Sequence, residues 1–140
     1  MRLVGSITKQ GKWWAIDIPL LGIATQGRTK KEAYEMIVDA VQELAHPDSF
    51  PVQVHARAGS YFEVGSENSS ALAAFFLKRY RQIHGLSLAE VSQRLGLKSR
   101  NAYARYEQGK AVPTVDKLTQ LLKAITPGRD LVLSLSAVAG

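Results

Sequence analysis

Between Lys98 and Lys110 the chain gathers residues whose side chains can recognise an anion: Lys98, Ser99, Arg100, Asn101, Arg105 and Lys110. An arginine can donate two hydrogen bonds to O6 and N7 of guanine. An asparagine can pair with N6 and N7 of adenine, while lysines and serine grip phosphates. Ala104 is small enough to let a helix come close or to meet a thymine methyl. Tyr103 and Tyr106, three residues apart, share a helical face suited to packing, which leaves Arg100, Asn101, Ala104 and Arg105 to face outwards. Each polar residue alone is an ordinary solvated helix residue, since Arg and Lys form helices well. The cluster gains meaning from its surroundings.

Charge is one such surrounding. Residues 1–68 hold 7 Lys and Arg against 8 Asp and Glu, net −1, whereas residues 69–140 hold 11 against 4, net +7. A one-sided basic excess fits a polyanionic partner such as nucleic acid. The other chemistries are poorly supplied. There is no cysteine, so neither a disulfide nor a thiolate zinc site is available. His46, His55 and His84 lack the i, i+4 pairing of a local metal site. The expected strands offer Asp17 and Glu63 alone for divalent cations, too few for metal-dependent cleavage. We expect no catalytic residues, no metal and no cofactor. No apolar run approaches the length of a membrane span, and a cytoplasmic location is expected.

The basic residues must be positioned by helices. "SALAAFFLKRYRQIHG" places Leu72, Phe76, Tyr80 and Ile83 on one face, with Lys78, Arg79 and Arg81 around the others. Ser87 and Glu90 have capping-box spacing, and Leu86 and Val91 can staple the same start. Leu88, Val91 and Leu95 give the buried stripe, and Gly96 stops the helix. Ser99 can cap the next helix, which runs to about Gln108. Two short helices joined by so tight a glycine-containing turn make a helix-turn-helix, whose second helix can enter the major groove. Thr114 caps a further helix with Val115, Leu118, Leu121, Leu122 and Ile125 as its core stripe.

The segment is similar to the Cro/repressor class of helix-turn-helix domains over roughly residues 72–126. The likeness rests on Leu86-Ser87, Leu95-Gly96-Leu97, Ser99-Arg100, Arg105, Glu107, Gly109-Lys110 and Pro113. Lys98 is one residue more than the turn of that pattern carries, and tyrosines stand where aliphatics are commoner. DNA contacts are expected from Ser87, Lys98, Ser99, Arg100, Asn101, Ala104, Arg105 and Lys110. "DLVLSLSAV" alternates Leu131, Leu133 and Leu135 and suggests a terminal strand that pairs with its copy, making a homodimer, with a tetramer as the next order.

The first half reads as strands, one helix, then strands. "RLVGSITK" and "WWAIDI" flank a glycine turn, "GIATQG" follows, "PVQVHARA" comes after the helix, and "YFEV" is either a fifth strand or a strand extension. Thr29 and Glu32 have capping-box spacing, with Ala33, Met36, Ile37, Ala40, Val41 and Leu44 as the buried face. One helix across three or four antiparallel strands is the expected layer. Strand alternation sends one of Trp13 and Trp14 inside and the other out.

Trp14, Pro19, Gly22, Thr25, Gln26, Gly27, Thr29, Glu32 and Ala33 carry a resemblance to the N-terminal domain of HicB-type antitoxins, over about 30 residues. Ile18-Pro19-Leu20-Leu21-Gly22-Ile23 departs from the family's acidic-residue-Leu-Pro-Gly-Cys segment. The resemblance implies a partial ribonuclease-H-like fold and a type II antitoxin. Such a protein binds a HicA-like, mRNA-cleaving toxin and represses its own operon through double-stranded operator DNA. The toxin-contact residues are not legible. A helix-turn-helix regulator with an N-terminal small-molecule-sensing domain is the alternative. The expected class is α+β: residues 1–64 a sheet with one helix, 65–70 a polar linker, and 71–140 a helical DNA-binding and dimerisation domain ending in a strand.

Overall fold

The computed structural model describes residues 1–137. β1 (Arg2–Gln10) and β2 (Trp13–Ile18) form the expected hairpin, with Ile7 opposite Ile16 and Lys9 opposite Trp14. β3 (Ile23–Gly27) pairs with β2 after a 3-10 turn over Pro19–Leu21. A second hairpin, β4 (Gln53–Ala56) and β5 (Tyr61–Gly65), joins through β5 to β1. The result is a five-stranded antiparallel sheet in the order β3-β2-β1-β5-β4, in which "YFEV" is a fifth strand and not an extension of its neighbour.

Alternation decides the layers. Leu3, Ile7, Ile16, Ile18, Phe62 and Val64 are buried on one face of the sheet, beneath α1 (Lys30–Ala45). Ala33, Ile37 and Val41 of α1 are fully buried there, while Met36 and Leu44, expected in the same stripe, are 40% and 48% exposed at its edges. Thr29 caps α1 by accepting the Glu32 N–H at 3.0 Å; Glu32 reaches back to the Arg28 N–H instead of the expected Thr29 N–H. Gly27 lets the first turn of α1 seat on β3. A Cβ there would stand 2.4 Å from the Ala33 nitrogen.

The expected linker is mostly structured. Gly65 ends β5, Ser69 and Ser70 open α2 (Ser69–Ile83), and the Asn68 side chain caps α2 by accepting the Ala71 N–H at 3.0 Å. Leu72, Phe76 and Tyr80 are buried as their spacing requires, but so are Phe75 and Leu77, and Ile83 is 41% exposed. α2 is therefore covered on more than one side. Phe75 meets Phe50 edge-on with ring centroids 5.8 Å apart, and Arg79 donates to the carbonyls of Leu21 at 2.9 Å and Gly22 at 3.4 Å. A sheet domain of this size has a thin core of its own, and α2 extends it into the helical half as one apolar cluster.

Beyond α2 come α3 (Leu88–Arg94), α4 (Arg100–Glu107) and α5 (Val115–Ile125). Arg94 of α3 donates to the carbonyls of Ala124 and Ile125 at 3.0 and 3.3 Å, closing the end of α5. The Tyr80 and Thr126 hydroxyls bond at 2.7 Å across α2 and the end of α5. No helix among the described residues is long and apolar enough to cross a membrane.

The terminal strand is not formed over residues 130–137, and Val138, the last residue of the expected run, lies outside the described residues. Leu131 packs partly on the core, but Leu133 and Leu135 are 74% and 103% exposed. A strand needs a ladder, and within one chain this segment meets the sheet through side chains instead. Ser136 donates to the Glu63 carboxylate, and Arg57 donates to the Ala137 carbonyl at 3.5 Å.

Two outcomes test this packing. Gly27→Ala forces α1 off β3 and should cost about 1–3 kcal/mol, the usual range for overpacking, read as a lower urea midpoint. The second concerns acid. The Ser136 hydroxyl first, then the Arg2 and Arg57 guanidiniums, hold the Glu63 carboxyl below its ordinary 4.5 against the opposing effect of burial. A carboxyl with a depressed folded pKa contributes its full stabilisation above the ordinary value and loses it as pH falls through the folded one. Glu63→Gln should therefore lower stability near neutrality and flatten the loss of stability below about pH 4.5, followed by urea midpoints in a pH series.

Candidate nucleic-acid interface

The helix-turn-helix begins with a complete capping box. Ser87 Oγ accepts the Glu90 N–H and the Glu90 carboxylate accepts the Ser87 N–H, both at 3.1 Å. These two bonds, the backbone one first, hold the Glu90 carboxyl below its ordinary range. Gly96, at φ 72°, stops α3, and the Leu97 N–H returns to the Ser92 carbonyl at 2.9 Å. Five residues later α4 is running. Ser99 occupies its N-cap position but makes no side-chain cap bond, contrary to the expected role, so its exposed hydroxyl is not spent on the helix.

The orientation of α4 follows from what its inner face holds. Tyr103 is fully buried, as its spacing requires, and Tyr106 is half-buried against the core. Burial first, then the Glu107 carboxylate, push the Tyr103 hydroxyl far above the ordinary phenol range, so it stays neutral. Ala104 is 5% exposed and is a correction to the expected outward set. At 100° per residue it falls about 40° from exposed Arg100 and 100° from Tyr103, so helical angle alone does not bury it; its one-carbon side chain is shaded where the longer Arg100 reaches out, and it cannot meet a base. Gln108, a residue not anticipated from the sequence, is exposed with Asn101 and Arg105.

The inner face also carries a charge. Arg81 of α2 grips Glu107 of α4 with both forks of the pair, Nε to Oε2 at 2.7 Å and the second guanidinium nitrogen to Oε1 at 2.9 Å. Its remaining nitrogen donates to the Leu86 carbonyl at 2.8 Å, just before α3. The side chains are only 12% and 5% exposed. Hydrogen bonding to Glu107 raises the Arg81 pKa further above its already high value, against the effect of burial. Arg81 was expected on a solvated side of α2; it is instead the brace that sets α4 against α2 and the start of α3. Its partner stands 26 residues away, and neither residue type announces the pairing.

What remains outside is an uncompensated cationic face. Lys98, Ser99, Arg100, Asn101, Arg105 and Lys110 are all exposed, and none of the four cations forms an ion pair among the described residues. Ser87 is exposed as well; its oxygen is used by the cap while the hydroxyl proton is left for another acceptor. Such a surface can donate to phosphates and to base edges from one short helix, the segments on either side of it and the start of α3.

The other groups weighed for chemistry are separately engaged. Ser6 donates to the Asp17 carboxylate across β1 and β2, and Arg2 pairs with Glu63 at 2.9 Å. Among the described residues no group of three or more His, Cys, Asp or Glu side chains could hold a metal.

Removing one partner of a buried bidentate pair strands the other charge. Glu107→Ala should cost about 3–5 kcal/mol of stability, measured by urea unfolding, whereas the double change Arg81→Met with Glu107→Leu should recover most of it. If the single change is silent, the brace does not exist in solution.

Residues 77–125 match the family model described as Helix-turn-helix, the Cro/C1 type, over a span running from the middle of α2 to the end of α5. No curated protein matches the chain. The C-terminal half is accordingly the DNA-binding helix-turn-helix domain of a transcription regulator.

Proposed function

We propose that this protein is a type II antitoxin of the HicB kind: it neutralises a HicA-like, mRNA-cleaving toxin through residues 1–64 and represses its own operon through residues 71–140. The observation that carries the reading is a pair of opposed surfaces on one chain. α4 offers the cations and Asn101 described above, while α1 carries Glu35, Asp39 and Glu43, all exposed and four residues apart, as an acidic ridge. A small basic ribonuclease would meet the ridge, and an operator would meet α4. The residues that resemble the HicB pattern, from Trp14 to Ala33, lie in β2, in the turn, in β3 and at the start of α1.

In this reading Arg100, Asn101, Arg105 and Gln108 contact base edges, and Ser87, Lys98, Ser99 and Lys110 hold phosphates. The exposed Leu133 and Leu135, with Leu131, would join two tails as paired strands. That dimer would present its two α4 helices about 34 Å apart, one DNA turn, to a palindromic site.

A second reading has its own observation. A cleft of about 290 Å³ opens between the end of α1, α2 and the end of α4, with Phe50, Phe75, Lys78 and Gln108 among its walls. A small molecule held there would make the protein a ligand-responsive regulator. A metabolite that raises the melting temperature and shifts operator affinity would favour it over the antitoxin.

For DNA, Arg100→Ala should cost about 1–3 kcal/mol on the specific site and relax base preference, while Lys110→Ala weakens all sequences alike and lowers the salt slope by about one. Equal losses on operator and random duplex for Arg100→Ala would remove its base-reading role. For the toxin, a small basic protein encoded beside this one should co-purify with it. Glu35→Lys with Asp39→Lys should release that protein while leaving operator affinity unchanged. Retained capture by the reversed ridge would refute the assigned contact.

A further inference from the structure

The sheet domain is nearly neutral as a whole, but its charge is sorted. Residues 1–31 contain 6 Lys and Arg against 1 Asp, and residues 32–68 contain 1 against 7 acids. The cations concentrate where β1 turns into β2 and where β3 leads into α1. Lys9 lies opposite Trp14, and Trp14 opposite Gly27, so one row across three strands ends in this cluster.

That end of the sheet stands clear of its neighbours. β5 pairs with β1 over Arg2–Ser6, and the Ile7 N–H takes the Ser60 carbonyl at 2.8 Å. From Thr8 to Gln10, β1 pairs with β2 alone. A tip carrying Lys9, Lys12 and Trp13, flanked by β3 on the β2 side alone, therefore extends past β5. Its tryptophans are the two in the whole sequence.

Both indoles are set against cations, on opposite faces of β2. The Lys9 and Lys30 ammonium groups lie 5.9 and 5.6 Å from the Trp14 ring centre, and the Arg28 guanidinium lies 5.5 Å from that of Trp13. Trp13 is 39% exposed, and Trp14 is half-buried. None of Lys9, Lys12, Arg28 and Lys30 forms an ion pair among the described residues. Cation–π contacts at an exposed site are weak, enough to orient an ammonium group without neutralising it.

We propose that this tip is a second nucleic-acid site, separate from α4, which takes a single strand. Trp14 holds two ammonium groups in place for consecutive phosphates, and the exposed part of Trp13 offers an aromatic surface to a base. Lysines alone would suffice for an acidic peptide, and nothing in such a peptide would use the indoles. A duplex would occupy the cations but keeps its base faces stacked away from Trp13. A strand with unstacked bases uses both.

The two tryptophans make the site its own reporter. The full chain carrying Arg100→Ala and Arg105→Ala, which disables α4 as a reader, would be titrated with oligothymidylate, oligouridylate and oligoglutamate of about twelve units while indole fluorescence is followed. Saturable quenching by either oligonucleotide, with a log–log salt slope near −0.7 for each phosphate held, supports the site. Lys9→Glu with Lys30→Glu should then weaken binding at least tenfold, as should Trp13→Ala. Lys12→Ala with Arg28→Ala, which leaves Trp14 and the start of α1 intact, serves as a second variant should the charge reversal unfold the tip. Oligoglutamate binding as tightly as the oligonucleotides, no quenching at all, or affinity unchanged in the folded variants would overturn the proposal. Operator binding by the chain with native α4 and a reversed tip tests the α4 reading independently.

Discussion

The Arg81–Glu107 pair is the constraint on which the exposed cationic surface of α4 depends. A guanidinium fork and a carboxylate satisfy each other in one plane, so two bonds at 2.7 and 2.9 Å fix the rotation of α4 about its own axis as well as its distance from α2. Rotation is what decides which side chains such a helix exposes. A turn of 100°, one residue's worth, would exchange Arg105 for Ala104 at the outer surface and bury a cation. An apolar pair of similar volume would pack as well, and replacing buried ion pairs with such residues is often neutral or stabilising. The pair's contribution is orientation: it specifies which side of an eight-residue helix is outside.

The third guanidinium bond widens that role. By donating to the Leu86 carbonyl, Arg81 also fixes the chain one residue before the capping box of α3. One side chain thus ties three consecutive helices at their junction. Tyr103 fills the adjacent apolar space with a ring too large to be replaced by its aliphatic counterparts without a cavity. Charge and volume act together: the pair sets direction, and the ring sets depth.

What could be read from the residues was local. Ser87 with Glu90, Thr114, and the glycine after Leu95 each act within four residues, and local sequence suffices to place them. The period-two alternation of β1 and β2 likewise marks its own buried face. The failures are of two kinds. Ala104 was placed outside as one of the residues that the tyrosine face leaves over, but its short side chain is buried where Arg100 and Arg105 reach out. Arg81 and Glu107, the double burial of α2, and the path of residues 130–137 depend on contacts between segments distant in sequence, which spacing alone does not encode. The polar run from Gly65 to Ser70 misled in a related way. Its composition suits a tether, yet Asn68 uses that polarity to cap a helix.

That cap changes how the two halves relate. With residues 66–68 alone between β5 and α2, and Phe75 and Arg79 set against Phe50, Leu21 and Gly22, the sheet and the helix-turn-helix share a helix and are not held by a flexible leash. Arg79 and Arg81 are two residues apart and about 200° around α2. One is bonded to the turn before β3, and the other to α4. The resemblance to HicB domains runs through that same turn, from Pro19 to Gly27, so a protein partner seated there would press on the carbonyls that Arg79 holds. A helix transmits such a displacement as a rigid rod over the length of one turn, whereas a tether of the same number of residues would absorb it in backbone rotation. The shared helix therefore supplies the two-sided contact that any coupling between a partner on the sheet and DNA on α4 requires.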